Sequence, residues 1–238
     1  MPKQKLPDKN FKWSPKLAYA IGLLTTDGNL SGDGRHISLR SCDIDQIKTF
    51  KKCLNLSNKI GAPKPAKQNG GRICYHLQFG DVQFYRWLLK IGLFPAKSYT
   101  VGPLKIPDKF FRDFLRGHLD GDGSITTYQD HYNTSKHPSY IYTRLFVRFI
   151  SASRNHMEWI RKNVKKFLDI DGDFFERRPA RKGYVSIWQL KFMKKESIKL
   201  LHWLYYKKDI PALSRKRKMA EQALAAITKI KRKVYTFH

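Results

Sequence analysis

Cysteine is scarce: Cys42, Cys53 and Cys74 are the only three in 238 residues. Their number is odd and no Cys-x-x-Cys pair occurs, which speaks against a disulfide framework and against a zinc site. It fits a reducing intracellular setting, whether cytoplasm, nucleoid or organelle matrix, rather than secretion. No apolar run approaches the length of a membrane span. The opening MPKQKLPDKNFKWSPK is polar and basic and lacks the apolar stretch of a signal peptide. Acid is short relative to base: 19 Asp and Glu face 47 Lys and Arg, leaving a formal charge of +28. Self-repulsion on that scale works against a compact state, and a polyanionic partner is the usual reason for keeping it. Nucleic acid is the first candidate and an anionic membrane the second. The membrane reading is the weaker, because the basic residues are spread over both halves rather than along one amphipathic helix. Hydrophobic residues make up 41% and aromatics 13%, too much for general disorder. The length suffices for one large domain or two small ones around a real core.

What is present is an internal repeat. Residues 15–28 (PKLAYAIGLLTTDG) and 110–123 (FFRDFLRGHLDGDG) each read as a helix ending in an acid followed by glycine. After the first, GNLSGDGRHISLRSC reads as a hairpin turning at Gly32-Asp33-Gly34. DIDQIKTFKKCLNL is a helix capped by Asp43, with Ile44, Ile47, Phe50 and Leu54 on its apolar face. A Gly/Pro/Lys-rich strand pair over 59–80 and a helix carrying Phe84, Trp87, Leu88 and Ile91 complete the unit. After the second, the same order recurs: a hairpin with a longer connection, a helix capped by Ser153, the hairpin GDFFERRPARKGYVSIWQLKFMKK and the helix ESIKLLHWLYY. The expectation is therefore α+β, with two pseudo-symmetric αββαββα repeats at 1–94 and 110–238. A Pro-rich linker over 95–109 joins them. A further helix at about 212–230, with Leu213, Ala220, Leu224 and Ile227, closes the second repeat.

The two acid-terminated helices carry chemistry of their own. Gly22 and Thr26 are four apart, as are Gly117 and Gly121, so each pair of small residues lies on one helical face. Small residues at that spacing let two helix backbones approach closely. Parallel packing would then bring Asp27 and Asp122 together at the helix C-terminal ends. Neighbouring carboxylates repel unless a cation lies between them, and the negative ends of the helix dipoles favour that cation. Hard oxygen ligands suit Mg²⁺, which takes one or two carboxylates together with water and phosphate oxygens.

In register, AIGLLTTDG (Ala20 to Gly28) and LRGHLDGDG (Leu115 to Gly123) resemble the nine-residue motif of the LAGLIDADG homing endonucleases. Two copies in one chain, each followed by the same order of elements, are similar to the monomeric, pseudo-symmetric members. The resemblance implies paired motif helices beneath a saddle of antiparallel strands. It also implies cleavage of both strands of a long asymmetric DNA site, with short 3′ overhangs. Asp27 and Asp122 would be the catalytic and metal-holding acids, with Mg²⁺ as cofactor, Mn²⁺ as a substitute and Ca²⁺ supporting binding without cleavage. The family places a basic residue after the third helix of each repeat. Lys97 matches the first, and Lys216 the second with Arg215 as the rival register. Such a lysine polarises the attacking water network or offsets phosphate charge. A polar residue in the turn before the second helix often completes each centre. The matching positions, Asp43 and Ser153, read more simply as helix caps. One departure is visible: the sixth motif position is Asp120 in the second copy but Thr25 in the first, so the halves are not equivalent.

Alternation along the strands nominates the residues that would face the DNA. With Ile37 and Leu39 in the core, His36, Ser38 and Arg40 point outward. With Ile73, Tyr75, Leu77 and Phe79 inward, Arg72, His76 and Gln78 point outward. The second repeat offers Ser124, Thr126 and Tyr128, then Arg144 and Arg148, then Gln189 and Lys191, with Glu176, Arg178 and Arg181 around the last hairpin tip. Arg and Gln can bond guanine and adenine edges in pairs. Lys64, Lys67 and the RKRK run near the end suit phosphate contacts, which position without specifying. Competing readings are an intron RNA maturase with the same fold, a DNA-binding regulator that has lost its acids, and the nuclease insert of an intein. Both acids are present, no length remains for an added helix-turn-helix domain, and no splicing junctions are visible. The two motifs in one chain point to a monomer.

Overall fold

The computed structural model describes residues 11–61, 73–132, 134–135, 137–139, 141–179 and 185–235, with side chains as far as Ile227. Helix α1 (Pro15–Thr26) starts where the Ser14 side chain accepts from the Leu17 amide and a proline takes the first helical position. Every side chain from Leu17 to Thr25 is buried, the pattern of an interior helix rather than a surface one. Strands β1 (Gly28–Leu30) and β2 (His36–Ser41) form the expected hairpin, its turn held by Asp33, which accepts from the amides of Arg35 and His36. Helix α2 (Ile44–Cys53) is capped by Asp43. Strand β3 (Tyr75–Gly80) and helix α3 (Val82–Lys90), capped by Asp81, finish the first repeat.

The second repeat runs α4 (Phe111–Gly121), β4 (Ser124–Asp130), β5 (Tyr142–Ser151), α5 (Arg154–Leu168), β6 (Asp173–Arg177), β7 (Ile187–Phe192) and α6 (Lys194–Leu204). Helix α7 (Ser214–Tyr235) follows. The α+β architecture is the one expected: two all-antiparallel sheets, ordered β1-β2-β3 and β4-β5-β7-β6, with helices on one face of each. The core is continuous, from Ile37, Leu39 and Leu77 of the first sheet through α1 and α4 to Val147, Phe149 and Leu190 of the second.

Two local expectations are corrected, and a third lies partly outside the described residues: of the strand pair over 59–80, strand β3 and a bridge between Gly61 and His76 are described. Ile73 is 48% exposed rather than inward, because it precedes the first paired residue of β3, Tyr75. Cys42 and Cys74 form a disulfide. The ladder explains it: Ser41 pairs with Tyr75, so the next antiparallel pair places Cys42 opposite Cys74 although 32 residues separate them. Only Cys53 remains a free thiol, and the cysteines no longer speak for a reducing compartment.

The centre of the molecule is the contact between α1 and α4. A methyl group on Gly22 would strike the Phe114 carbonyl and the His118 amide. One on Gly117 would strike the Tyr19 carbonyl, and one on Gly121 the Thr26 hydroxyl. Positions 19, 22 and 26 thus meet 117, 114–118 and 121 in ascending order, so the helices run parallel and touch backbone to backbone. Asp120 ties this pair together: its Oδ2 accepts from the Tyr19 hydroxyl at 2.8 Å and from the Leu213 amide at 2.7 Å. The fully buried Arg116 donates to Asp113 and to the carbonyls of Leu204 and Pro211, fixing the path from α6 into α7.

Replacing Gly117 with alanine forces a backbone-to-backbone separation that no rotamer can relieve. The expected loss is about 3–5 kcal/mol in urea unfolding. Gly121→Ala, which meets a side chain, costs less.

Candidate nucleic-acid interface and metal centre

Asp27 and Asp122 are the C-caps of α1 and α4, so the parallel crossing delivers both carboxylates to one end of the helix pair. Asp27 Oδ2 accepts from Gln46 Nε2 at 2.5 Å and from the Thr26 hydroxyl at 3.4 Å. Gln46 is buried in the first turn of α2, and the Ser41 hydroxyl donates to its Oε1 at 3.0 Å. Sequence reasoning missed Gln46 and named its neighbour Asp43, which is a cap that accepts from the Asp45 amide and pairs with Arg215. A polar residue on the inner side of α2, at a position where periodicity asks for an apolar one, was the available signal. Ser153 caps α5 and donates to the Val101 carbonyl at 2.5 Å, away from Asp122.

The protonation balance follows from these surroundings. Burial raises the pKa of Asp27, opposed first by the Gln46 hydrogen bond and then by Lys216. Asp122 is pushed up to about 6, first by burial and then by the charge of Asp27, with Lys216 and Lys97 pulling the other way. Its side remains open to solvent, so the effect on stability is smaller than the shift alone implies.

Lys97 and Lys216 are buried as symmetry mates with different tasks. Lys97, in a single turn of 3₁₀ helix, donates to the Gly28 carbonyl. Lys216 Nζ lies 2.5 Å from the Leu119 carbonyl, 2.9 Å from Asp120, 3.2 Å from Gly121 and 2.7 Å from Gly123. It caps the C-terminus of α4 with all the donors an ammonium has. Arg215, the rival register, points to Asp43 instead. Burial pulls each lysine down to about 8, against the attraction of the aspartates.

Beyond the acids the open faces of the sheets carry most of the nominated residues. In the first sheet Asn29, Ser38 and Gln78 form one cross-strand row and Arg40 with His76 the next. His36 stands at the edge, paired with Asp33. Asn29 was not foreseen. In the second sheet the rows are Tyr128 with Arg144, Thr126 with Phe146, Ser124 with Arg148 and Lys191, Ile150 with Gln189 and Phe175, and Ile187 with Arg177. Gln189 faces the expected way but is only 6% exposed, lying in a cleft shared with Asp122. Arg178, expected around the last hairpin tip, follows β6 and pairs with Glu176; the pleat places Asp173, Phe175 and Arg177 on the open face, and Arg177 was not foreseen. Arg72, Arg181, Lys64 and Lys67 lie outside the described residues.

Two outcomes follow. An acid whose folded pKa is raised gives stability below its unfolded pKa and loses it as pH rises through the folded value, here about 6. Asp122→Asn, permanently neutral, should therefore melt about 2–4 °C above wild type at pH 7.5, for about 1 kcal/mol after solvent screening. The gap should close as pH falls towards 4. A variant that melts below wild type at pH 7.5 would show that the carboxylate is not strained. The lysines should separate in urea unfolding: Lys216→Met, which uncaps α4, should cost about 3 kcal/mol and Lys97→Met about 1 kcal/mol. Equal losses would deny Lys216 its capping role.

No family model matches the sequence, and no curated protein matches it. Solved structures do. The LAGLIDADG meganuclease I-AabMI, bound to uncleaved DNA, aligns with a TM-score of 0.60 at 13% identity over 93% of this chain and 92% of that one. The meganuclease I-SmaMI, bound to uncleaveable DNA, gives 0.57 at 11% identity over 92% of each chain. Full-length DUF199/WhiA from Thermatoga maritima gives 0.54 at 17% identity over 93% of this chain, which spans 63% of that protein. Identities this low establish the fold and not the activity: the chain shares the fold of these LAGLIDADG structures.

Proposed function

We propose that the protein is a site-specific endonuclease that binds a long asymmetric DNA duplex and hydrolyses one phosphodiester in each strand, leaving short 3′ overhangs. The observation that carries this reading is the delivery of Asp27 and Asp122 to the same end of two touching parallel helices, between two open sheet faces, on a chain of charge +28. Two carboxylates that burial drives towards protonation gain most from a shared divalent cation. Among the described residues no group of three or more His, Cys, Asp or Glu could hold a metal alone. The remaining ligands would be water and phosphate oxygens, which suits Mg²⁺, with Mn²⁺ as substitute and Ca²⁺ supporting binding only. Such a cation lowers the pKa of bound water and offsets developing charge.

The chain's own groups do the rest. Gln46 orients Asp27. Lys97, bonded to a single carbonyl, keeps donors for a phosphate oxygen or for the attacking water. Asp120, the second acid of the motif, is held by Tyr19 and Leu213 and is a tether rather than a ligand. Both acids come from one chain, so a monomer suffices.

The test is a cleavage selection: a random duplex library incubated with protein and Mg²⁺, alongside Asp27→Asn and Asp122→Asn, with the cut ends sequenced. One long asymmetric motif, cut on both strands by wild type and by neither variant, is expected. Absence of cutting, with tight metal-independent binding to structured RNA, would replace this reading with the maturase one. For the free protein, Mn²⁺ affinity in calorimetry should fall as pH drops through about 6, where Asp122 takes up a proton. Affinity flat from pH 8 to 5 would remove Asp122 from the site.

A further inference from the structure

The open faces of the two sheets differ in kind. That of the first sheet presents Asn29, Ser38, Arg40, His76 and Gln78, all hydrogen-bonding groups. That of the second carries an apolar cluster where water would otherwise be expected: Ile150, Phe175 and Ile187, adjacent across β5, β7 and β6. Phe175 is 40% exposed. The three side chains line a cleft of about 570 Å³ whose wall includes Asp122, so the cluster adjoins the candidate metal centre. Gln189 lies between Ile150 and Phe175 in the cross-strand row, and Arg148, Arg177 and Lys191 stand around the cleft.

We propose that this cleft reads an A·T base pair through the thymine 5-methyl group, with Ile150, Phe175 and Ile187 as the methyl-contacting residues and Gln189 facing the adenine edge. The reading rests on duplex DNA being the ligand, as proposed above. Arg148, Arg177 and Lys191 outnumber the one carboxylate of the cleft, Asp122, and with the apolar side chains beside Gln189 they fit a ligand that is anionic at its rim and apolar at one point within. The major groove of DNA has that character: phosphates flank it, and the thymine methyl is the one apolar group on its floor. An amide beside the apolar cluster matches the same pair, because adenine N6 and N7 offer the donor and acceptor that glutamine bonds together. A G·C pair offers no methyl. The first sheet, with no apolar residue on its face among the described residues, reads its half-site by hydrogen bonds, so methyl dependence is confined to one half of the target.

The test compares two binding selections in Ca²⁺. One uses a random duplex library with thymidine, and the other the same library with deoxyuridine throughout, which removes only the methyl. Wild type should enrich a motif with thymine at one or two positions in a single half. It should lose affinity for the chosen site by about 4-fold per methyl removed, the value of one buried methyl group. Ile187→Ser and Phe175→Ser should bind the thymidine and deoxyuridine forms equally, while Phe175→Leu, still apolar, should keep the discrimination. These side chains stand on the open face, and melting curves confirm that the variants fold. A strong motif equally tight in both DNAs would overturn the methyl reading and leave the DNA assignment standing. So would discrimination that persists in both serine variants. Enrichment of nothing in either library would overturn both.

Discussion

Everything distinctive about the molecule hangs on two helix backbones in contact. At the crossing of α1 and α4 a single methyl group on Gly22 or Gly117 would enter the other helix's carbonyl or amide. That proximity has no slack, and it sets the register of the halves to within a fraction of a helical turn. The acids follow from it: Asp27 and Asp122 cap the two helices and arrive together because the helices do. The sheets follow as well, since β1 and β4 begin within two residues of those caps. A looser crossing would keep the core and lose the site. Dispersion between well-packed backbones, with the Tyr19–Asp120 hydrogen bond, supplies the attraction. The carboxylate pair at the helix ends works against it. The crossing thus carries a stability cost at its acid-bearing end.

Part of the charge of +28 is answered locally. On α5 Arg154 meets Glu158, Lys165 meets Asp169 and Asp171, and Lys166 meets Asp108. On the open face of the second sheet Arg144 meets Asp130, whereas Arg148 bonds a threonine. Exposed pairs of this kind add little stability. They leave a large surplus of positive charge, which suits a polyanion.

The repeat order, the helix ends, the caps at Asp43 and Ser153 and the small-residue face were legible because each rests on a local rule: periodicity, capping, or spacing along one helix. Lys97 and Lys216 were legible only through resemblance, and the geometry gives them a role that composition does not contain, closing carbonyls at the end of each motif. Three things were hidden because they depend on pairing between distant segments. Cys42 meets Cys74 only once β2 and β3 have a register. Gln46 reaches Asp27 only once α2 has packed on α1. Arg177 is placed on the open face only once the pairing of Phe175 with Gln189 fixes the phase of β6. A phase error of one residue moves a side chain to the opposite face, so alternation without register is weakest at strand ends.

Two copies of a unit in one chain need not stay alike, and here the differences converge on the acids. Gln46 and His156 occupy the same place, three residues after the cap of the second helix in each repeat. Gln46 turns to Asp27, whereas His156 bonds the Gly102 carbonyl and stacks on His118 in the interior. Asp27 is therefore steadied by an amide from α2 and Asp122 is not, which is why the larger upward push falls on Asp122. The lysines diverge in the same sense, Lys216 committed to carbonyls and Lys97 bonded to one. A homodimer built from one repeat could not separate these roles, because each change would appear on both sides of the axis. Fusion into one chain lets the first repeat keep a hydrogen-bonding face and an oriented acid while the second takes an apolar cleft and an acid poised near neutrality. An asymmetric centre is the state that duplication followed by divergence makes accessible.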